Sequence, residues 1–220
     1  MDTEETAMLT ASLQEVFGEA DDGADVSRLL AQLGWDDVAA EHPAEAMTLL
    51  FIEKGRALSS AALLDDVVLP VLTAGLPHGT DVPAGEPATA VCYPSPAAGR
   101  RPSSTAETTT GVLLRRPGPD ERIVIPVAEA GGITLAIGPA SEFTITPLPS
   151  LDPGVGWFTV TGPTPAARHD GSQWAAAVAA AHRALAAEII GVADRALELA
   201  AEHTSTRRQF GAPIAAFQAV

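Results

Sequence analysis

The spacing of apolar residues changes twice along the chain and divides it into three textures. Over residues 1–77 apolar side chains recur every three or four positions. Leu9, Leu13, Val16 and Phe17 form one set, and Leu29, Leu30 and Leu33 another. That period belongs to helices with one buried face. Gly34 is a stop for the second helix. Pro43 opens "HPAEAMTLLFIEKGRAL" at a first-turn position. Ser59 or Ser60 is placed to cap "SSAALLDDVVLPVLTAGLP".

Over residues 78–168 proline, glycine and threonine rise. Short β-rich runs stand between turn signals: "ATAVCY", "TGVLL", "RIVIPV", "GITLAIG", "EFTITPL" and "GWFTVTG". Their spacing predicts a small antiparallel barrel or sandwich. "PSPAAGRRPSSTAETTT" reads as a loop between two of the runs. Over residues 169–220 the helical period returns in an Ala-rich stretch without proline from Ser172 to Ser205. Trp174, Val178, Ala181, Leu185, Ile189, Val192, Ala196 and Ala200 predict one apolar stripe. At about 1.5 Å per residue such a helix spans roughly 50 Å, and it needs a large partner surface to be stable.

The expected fold is therefore α+β and multidomain. A helical domain covers 1–77, a middle antiparallel β-barrel or sandwich covers 78–168, and the start of a C-terminal helical bundle covers 169–220. Composition narrows the function. The 220 residues carry a formal net charge of -15, a surface that disfavours nucleic acid and anionic membrane. An anionic ligand must then be held by local basic groups. Cys92 is the sole cysteine, which excludes an intrachain disulfide and a cysteine metal cage. Cys92 is expected as a buried strand thiol. The acidic "MDTEETAM" start has no signal-peptide texture, and no uninterrupted apolar run of about 18 residues predicts a spanning helix. A cytoplasmic protein with no metal site is the expectation. No zinc, P-loop or dinucleotide fingerprint is present.

The segment "TSTRRQFGAPIAAFQ" offers the most specific chemistry. Gly211 can take a left-handed conformation after the long helix, and Pro213 suits the start of a new one. Arg207 and Arg208 at the corner can fork onto phosphate oxygens. A fresh helix N-terminus would add free N–H groups to the same anion. Gln209 and Gln218 add amide donors. The plainer reading is that the arginines compensate a helix dipole and that Phe210, Ile214 and Phe217 are core.

"AAEIIGVADRALELAAEHTSTRRQFGAPIAAFQAV" resembles the acyl-CoA dehydrogenase family at the first helix pair of its C-terminal domain. The pattern there is G-x-A-x-x-A-L, then A-x-x-Y-x-x-x-R-x-Q-F-G, then I-x-x-F-Q. Gly191, Ala193, Ala196, Leu197, Ala200, Arg207, Gln209, Phe210, Gly211, Ile214, Phe217 and Gln218 match, with His203 in the Tyr position. "FIEKGRAL" is similar to the family's "EELGRAL" helix through Glu53, Gly55, Arg56 and Leu58. The resemblance implies FAD, an acyl-CoA substrate, and removal of two hydrogens to give an enoyl-CoA. It implies that Arg207, Arg208, Gln209, Phe217 and Gln218 reach the diphosphate and adenosine half of a FAD shared across a subunit interface, in a homo- or hetero-oligomer.

The departures from the family bear on catalysis. Its catalytic glutamate lies well beyond the R-x-Q-F-G corner, so no catalytic residue is assigned within residues 1–220. Glu188, Glu198 and Glu202 are expected as solvated helix positions. "CYPSPAAGRR" stands where the family has T-E-P-x-x-G-S-D, with Cys92 and Tyr93 replacing Thr and Glu. The W-I-T-N-G flavin strand has no counterpart, and Trp157 is expected in the core. The arginines of "GRRPSS" are expected in a solvated loop rather than on a CoA phosphate. Four readings follow: the front part of a longer dehydrogenase, a non-catalytic partner subunit completing another chain's FAD site, a flavin oxygenase on the same fold, or a purely structural helical module. Mixed oligomers of the family handle bulky thioesters, such as those of steroids or polyketides.

Overall fold

The computed structural model describes residues 1–20, 23–74, 76, 88–99, 101–150 and 153–217. Two compact units emerge, and they do not follow chain order: one joins residues 1–61 to 183–220, and the other is 62–182.

The first unit begins with α1 (Thr3–Glu19). Asp2 caps it by accepting from the N–H groups of Glu4 and Glu5, each at 2.9 Å, while Glu5 accepts from the Asp2 N–H at 2.8 Å. This reciprocal box satisfies donors that a helix start leaves open. α2 (Gly23–Leu33) is separated from α3 (Trp35–Glu41) by Gly34, whose φ of 76° is the expected left-handed stop. α4 (Pro43–Arg56) starts on Pro43 at its first turn, also as expected. Leu13, Val16, Phe17, Val26, Leu30, Trp35, Leu50 and Phe51 are buried in this unit.

α6 (Trp174–Thr206) is the long Ala-rich helix, and its later part belongs to this unit. Its buried face differs from the predicted stripe. Trp174 is buried as expected, with Ala177 and Ala180 in the other unit, but Ala184 and Ala187 are buried in this one whereas Leu185, Ile189 and Val192 are exposed. The reason is the closeness of two backbones. A Cβ on Gly191 would lie 2.0 Å from the Ile52 carbonyl oxygen, and one on Gly55 would lie 2.1 Å from that of Glu188. Only small residues permit such an approach, so the bulky side chains lie elsewhere on α6. By length and composition α6 alone among the described helices could cross a membrane; alanine supplies much of that hydropathy, and Glu188 on it is paired with Lys54 of α4.

The second unit begins with α5 (Leu64–Thr73). Neither predicted serine caps it: its N-cap is Leu63, without a side-chain bond, and Ser59 instead accepts from the Ala61 N–H at 3.3 Å. All six predicted runs form strands: β1 (Ala88–Val91), β2 (Thr108–Leu113), β3 (Arg122–Glu129), β4 (Gly132–Pro139), β5 (Thr144–Pro147) and β6 (Phe158–Pro163). The short β7 (His169–Asp170) was not anticipated. One sheet has the order β1-β3-β4-β7 and the other β2-β6-β5. Every pair is antiparallel except β1–β3, which is parallel. The core contains Ala90, Cys92, Leu113, Ile123, Ile125, Val127, Ala136, Phe143 and Val160. Strand alternation delivers them: along β2–β6–β5, Gly111, Val160 and Ile145 share one row, while Thr110, Thr161 and Thr144 share another.

Candidate functional site

α6 ends where the Arg207 N–H donates to the His203 carbonyl at 2.9 Å. Among the described residues Pro213 does not open a second long helix. The chain turns back as a hairpin of β8 (Arg208–Gln209) and β9 (Ala212–Pro213), with Arg208 opposite Pro213 and Gln209 opposite Ala212. Phe210 and Gly211 form the tip at φ values of 50° and 84°. Two successive left-handed residues make the turn that matches the strand twist. Among the described residues a single 3-10 turn, Ile214–Ala216, follows. The Ile214 N–H is taken by the Arg207 carbonyl at 2.9 Å. Among the described residues no longer helix offers its N-terminus to an anion, and the chemistry of the corner described here rests on side chains.

Those side chains face solvent. Arg207, Arg208 and Gln209 are all exposed, Phe210 is 96% exposed, and Phe217 is 44% exposed. Phe210 and Phe217 are thus not core. One arm of Arg208 donates to the Gly211 carbonyl at 3.2 Å and braces the turn. Neither Arg207 nor Arg208 has a carboxylate partner among the described residues. Gln218 lies outside them. The hairpin thus presents two unneutralised guanidinium groups, an amide and a bare aromatic ring on an otherwise acidic chain. Such a donor set suits an anionic, partly aromatic ligand.

The candidate carboxylates of α6 serve structure. Glu188 takes the Lys54 ammonium, and Glu198 takes Arg56, with Arg195 beside it at 3.3 Å. Glu188 is thus half-buried and paired rather than solvated. Arg56 also lies 3.7 Å from the buried Glu53 and 4.0 Å from Asp194. The Arg56 hydrogen bond, helped by Arg195, holds the Glu198 carboxyl below its ordinary range, the opposite of what a general base needs. Glu202 is exposed, as expected.

In the β unit, Cys92 is 3% exposed and burial pushes its thiol up to about 12, so it stays neutral and inert. Gly111 makes room for it: a Cβ there would lie 2.4 Å from the Cys92 sulfur. Trp157 is 41% exposed and so is not core. Arg101 is exposed, and Arg100 lies outside the described residues. Sequence reasoning missed one buried polar pair. The Tyr93 hydroxyl donates to Asp65 Oδ1 at 2.8 Å, and Asp65 is 3% exposed. Burial pushes the Asp65 carboxyl up to about 7, against the opposing pull of Tyr93 and Arg115. Its signal in the sequence is weak, because Asp65 sits beside Asp66 in a helical first turn where acidic residues are ordinary.

With these features in place, comparison with known proteins is decisive for the fold. Residues 169–220 match the acyl-CoA dehydrogenase C-terminal domain. The fold is that of the acyl-CoA dehydrogenases. The ChsE4–ChsE5 complex of Mycobacterium tuberculosis superposes with a TM-score of 0.71 at 19% identity, over 100% of this chain and 71% of that one. A variant of the Tcur3481–Tcur3483 steroid ACAD gives 0.75 at 21% identity, over 99% and 71%. A glutaryl-CoA dehydrogenase from Mycobacterium smegmatis in complex with FADH2 gives 0.68 at 14% identity, over 99% and 69%. No curated protein matches the sequence.

Proposed function

We propose that this chain works in an oligomeric, FAD-linked acyl-CoA dehydrogenase, where its Arg207–Gln209 hairpin completes a flavin site on a neighbouring chain. The carrying observation is the hairpin itself: two exposed guanidinium groups without carboxylate partners among the described residues, on a tight turn at the end of a long helix. Bound FAD would supply the two-electron acceptor for α,β-dehydrogenation of an acyl-CoA. This chain's own contribution is positioning. Arg207 and Arg208 would neutralise the diphosphate, Gln209 would donate to it, and Phe210 or Phe217 would cover apolar parts of the dinucleotide. No carboxylate of α6 is assigned as base, since Glu188 and Glu198 are engaged by Lys54 and Arg56.

A second version of this reading makes the chain a non-catalytic partner of a different, flavin-bearing chain. The absence of a T-E-P-x-x-G-S-D segment around Cys92 and Tyr93 favours it, because a buried thiol and a phenol bonded to Asp65 stand at those positions instead. That two similar structures are a ChsE4–ChsE5 complex and a Tcur3481–Tcur3483 protein also supports a two-chain assembly and a bulky, steroid-like thioester.

Arg207→Ala combined with Arg208→Ala tests the hairpin assignment. The ratio of flavin absorbance to protein in the isolated assembly should fall by tenfold or more, at about 1.5–3 kcal/mol per charged hydrogen bond lost. Unchanged flavin content in an intact assembly would overturn it. Native mass spectrometry of the same preparation separates one kind of chain from two.

A further inference from the structure

The Asp65–Tyr93 pair has no part in the hairpin chemistry, and its geometry is unusual. Asp65 lies in the first turn of α5, whose Leu64, Val68 and Leu72 are buried. α5 packs against β1. Tyr93 follows β1 and is tied to β2 by reciprocal bonds with Val112, each 2.9 Å. The Tyr93 hydroxyl reaches Asp65 Oδ1, whereas Oδ2 is buried with no hydrogen-bond partner among the described residues. A buried carboxylate needs several donors to offset its lost hydration, and this one has the Tyr93 phenol and, more weakly, the Val91 backbone N–H.

We propose that Asp65 is a proton-sensitive clasp between the first turn of α5 and the end of β1: neutral, it sits buried against Tyr93, whereas ionisation strengthens the phenol bond but leaves a poorly solvated buried charge at Oδ2 that works against the docking of α5. The charged groups acting on Asp65 favour this. Asp66 on its own helix repels a second negative charge, while Arg115, which follows β2, attracts it. That attraction is shared, because Arg115 pairs with Glu121 at 2.8 Å. Tyr93 stays a phenol, since burial and then Asp65 push it well above its ordinary range. Burial outweighs the pull of Tyr93, Arg115 and the Val91 N–H and pushes the carboxyl up to about 7.

The sign of the pH effect follows. An unfolded aspartate titrates at about 4, and Asp65 in the fold at about 7. Between those values the native state keeps a proton that the unfolded chain has lost. Stability contributed by this group therefore falls as pH rises through the window and is level above it.

Tyr93 is the only tyrosine in the chain, so the isolated protein labelled with ζ-13C tyrosine gives one resonance that reports on Asp65. Titrated from about pH 5.5 to about 8.5, it should shift in one step centred near 7. Hydrogen-exchange protection of α5 should fall through the same step relative to β3 and β4. Asp65→Asn should abolish both changes. Tyr93→Phe removes a donor that favours the ionised form, so the exchange step should move to higher pH. A tyrosine resonance without a step in the wild-type protein overturns the proposal. So does an α5 exchange profile that is the same in wild type and Asp65→Asn, or, should that variant not fold, the same in wild type and Tyr93→Phe.

Discussion

Phe210 holds a conformation that its side chain disfavours. A non-glycine residue at φ 50° brings its Cβ against the carbonyl that follows, a strain of about 1–2 kcal/mol. Nothing within the unit offsets it, because the ring is 96% exposed. Asparagine is the ordinary residue before glycine in such a turn. Phe210→Asn should therefore leave thermal stability unchanged or raise it slightly, and a scanning calorimeter would show which. If the ring contacts a flavin dinucleotide on a neighbour, the same variant should lose flavin. A variant that keeps stability and loses cofactor separates recognition from folding at one residue. A variant that keeps both would mean that Phe210 contributes nothing to the site.

Gly191 presents the opposite balance. Judged by helix propensity alone, alanine at this mid-helix position should stabilise by about 1 kcal/mol. The added methyl would, however, lie 2.0 Å from the Ile52 carbonyl oxygen and 3.0 Å from the Arg56 nitrogen. Backbone atoms cannot swing aside as a flexible side chain can. Overpacking of this kind costs about 1–3 kcal/mol, so Gly191→Ala should be destabilising, with a lower urea midpoint. A raised midpoint would show that α4 and α6 can separate freely.

At the scale of elements, β-strand runs were legible because alternation and turn residues are local signals. The six runs survive as β1–β6, and Gly34 and Pro43 act as their residue types suggest. The face of α6 was not legible. A stripe read from hydrophobicity selects Leu185, Ile189 and Val192, whereas the buried face is chosen by how closely the α4 backbone approaches, and that selects Ala184, Ala187 and Gly191. Sequence carries no measure of interhelical distance except through small residues, and in an Ala-rich helix those occur on every side. The hairpin was missed for a related reason: Gly211 was correctly placed in the left-handed region, but Phe210 beside it breaks the residue preference of the turn it adopts. The Lys54–Glu188 and Arg56–Glu198 contacts explain the "EKGR" segment after the fact, as positions where α4 reads its neighbour with charge at the edges and glycine at the centre. Lys54 is 7% exposed, so Lys54→Met should cost less than Lys54→Ala, since it preserves the packed stem. Equal losses in chemical denaturation would make the charge, not the stem, the larger part.

For the whole molecule, the question is what covers the other face of α6. Leu185, Ile189, Val192 and Leu199 follow one another at steps of four, three and seven and are 40%, 67%, 40% and 46% exposed. A run of that length on one helix is the spacing of a packing seam, and contiguous exposed apolar surface is characteristic of interaction sites. The acidic charge of the chain disfavours contacts with nucleic acid and leaves helix packing as the natural use. Ile189→Glu places a charge in the middle of the seam and touches neither the α4 contact nor the hairpin. If the seam meets another subunit, the variant should dissociate in sedimentation velocity with its helical circular dichroism intact, and flavin should leave with the partner. If helices of the same polypeptide cover it, the assembly mass should persist until the fold itself melts at a lower temperature. An unchanged mass together with an unchanged melting temperature would mean that the seam is solvated in the working protein, and the oligomeric reading of α6 would fall.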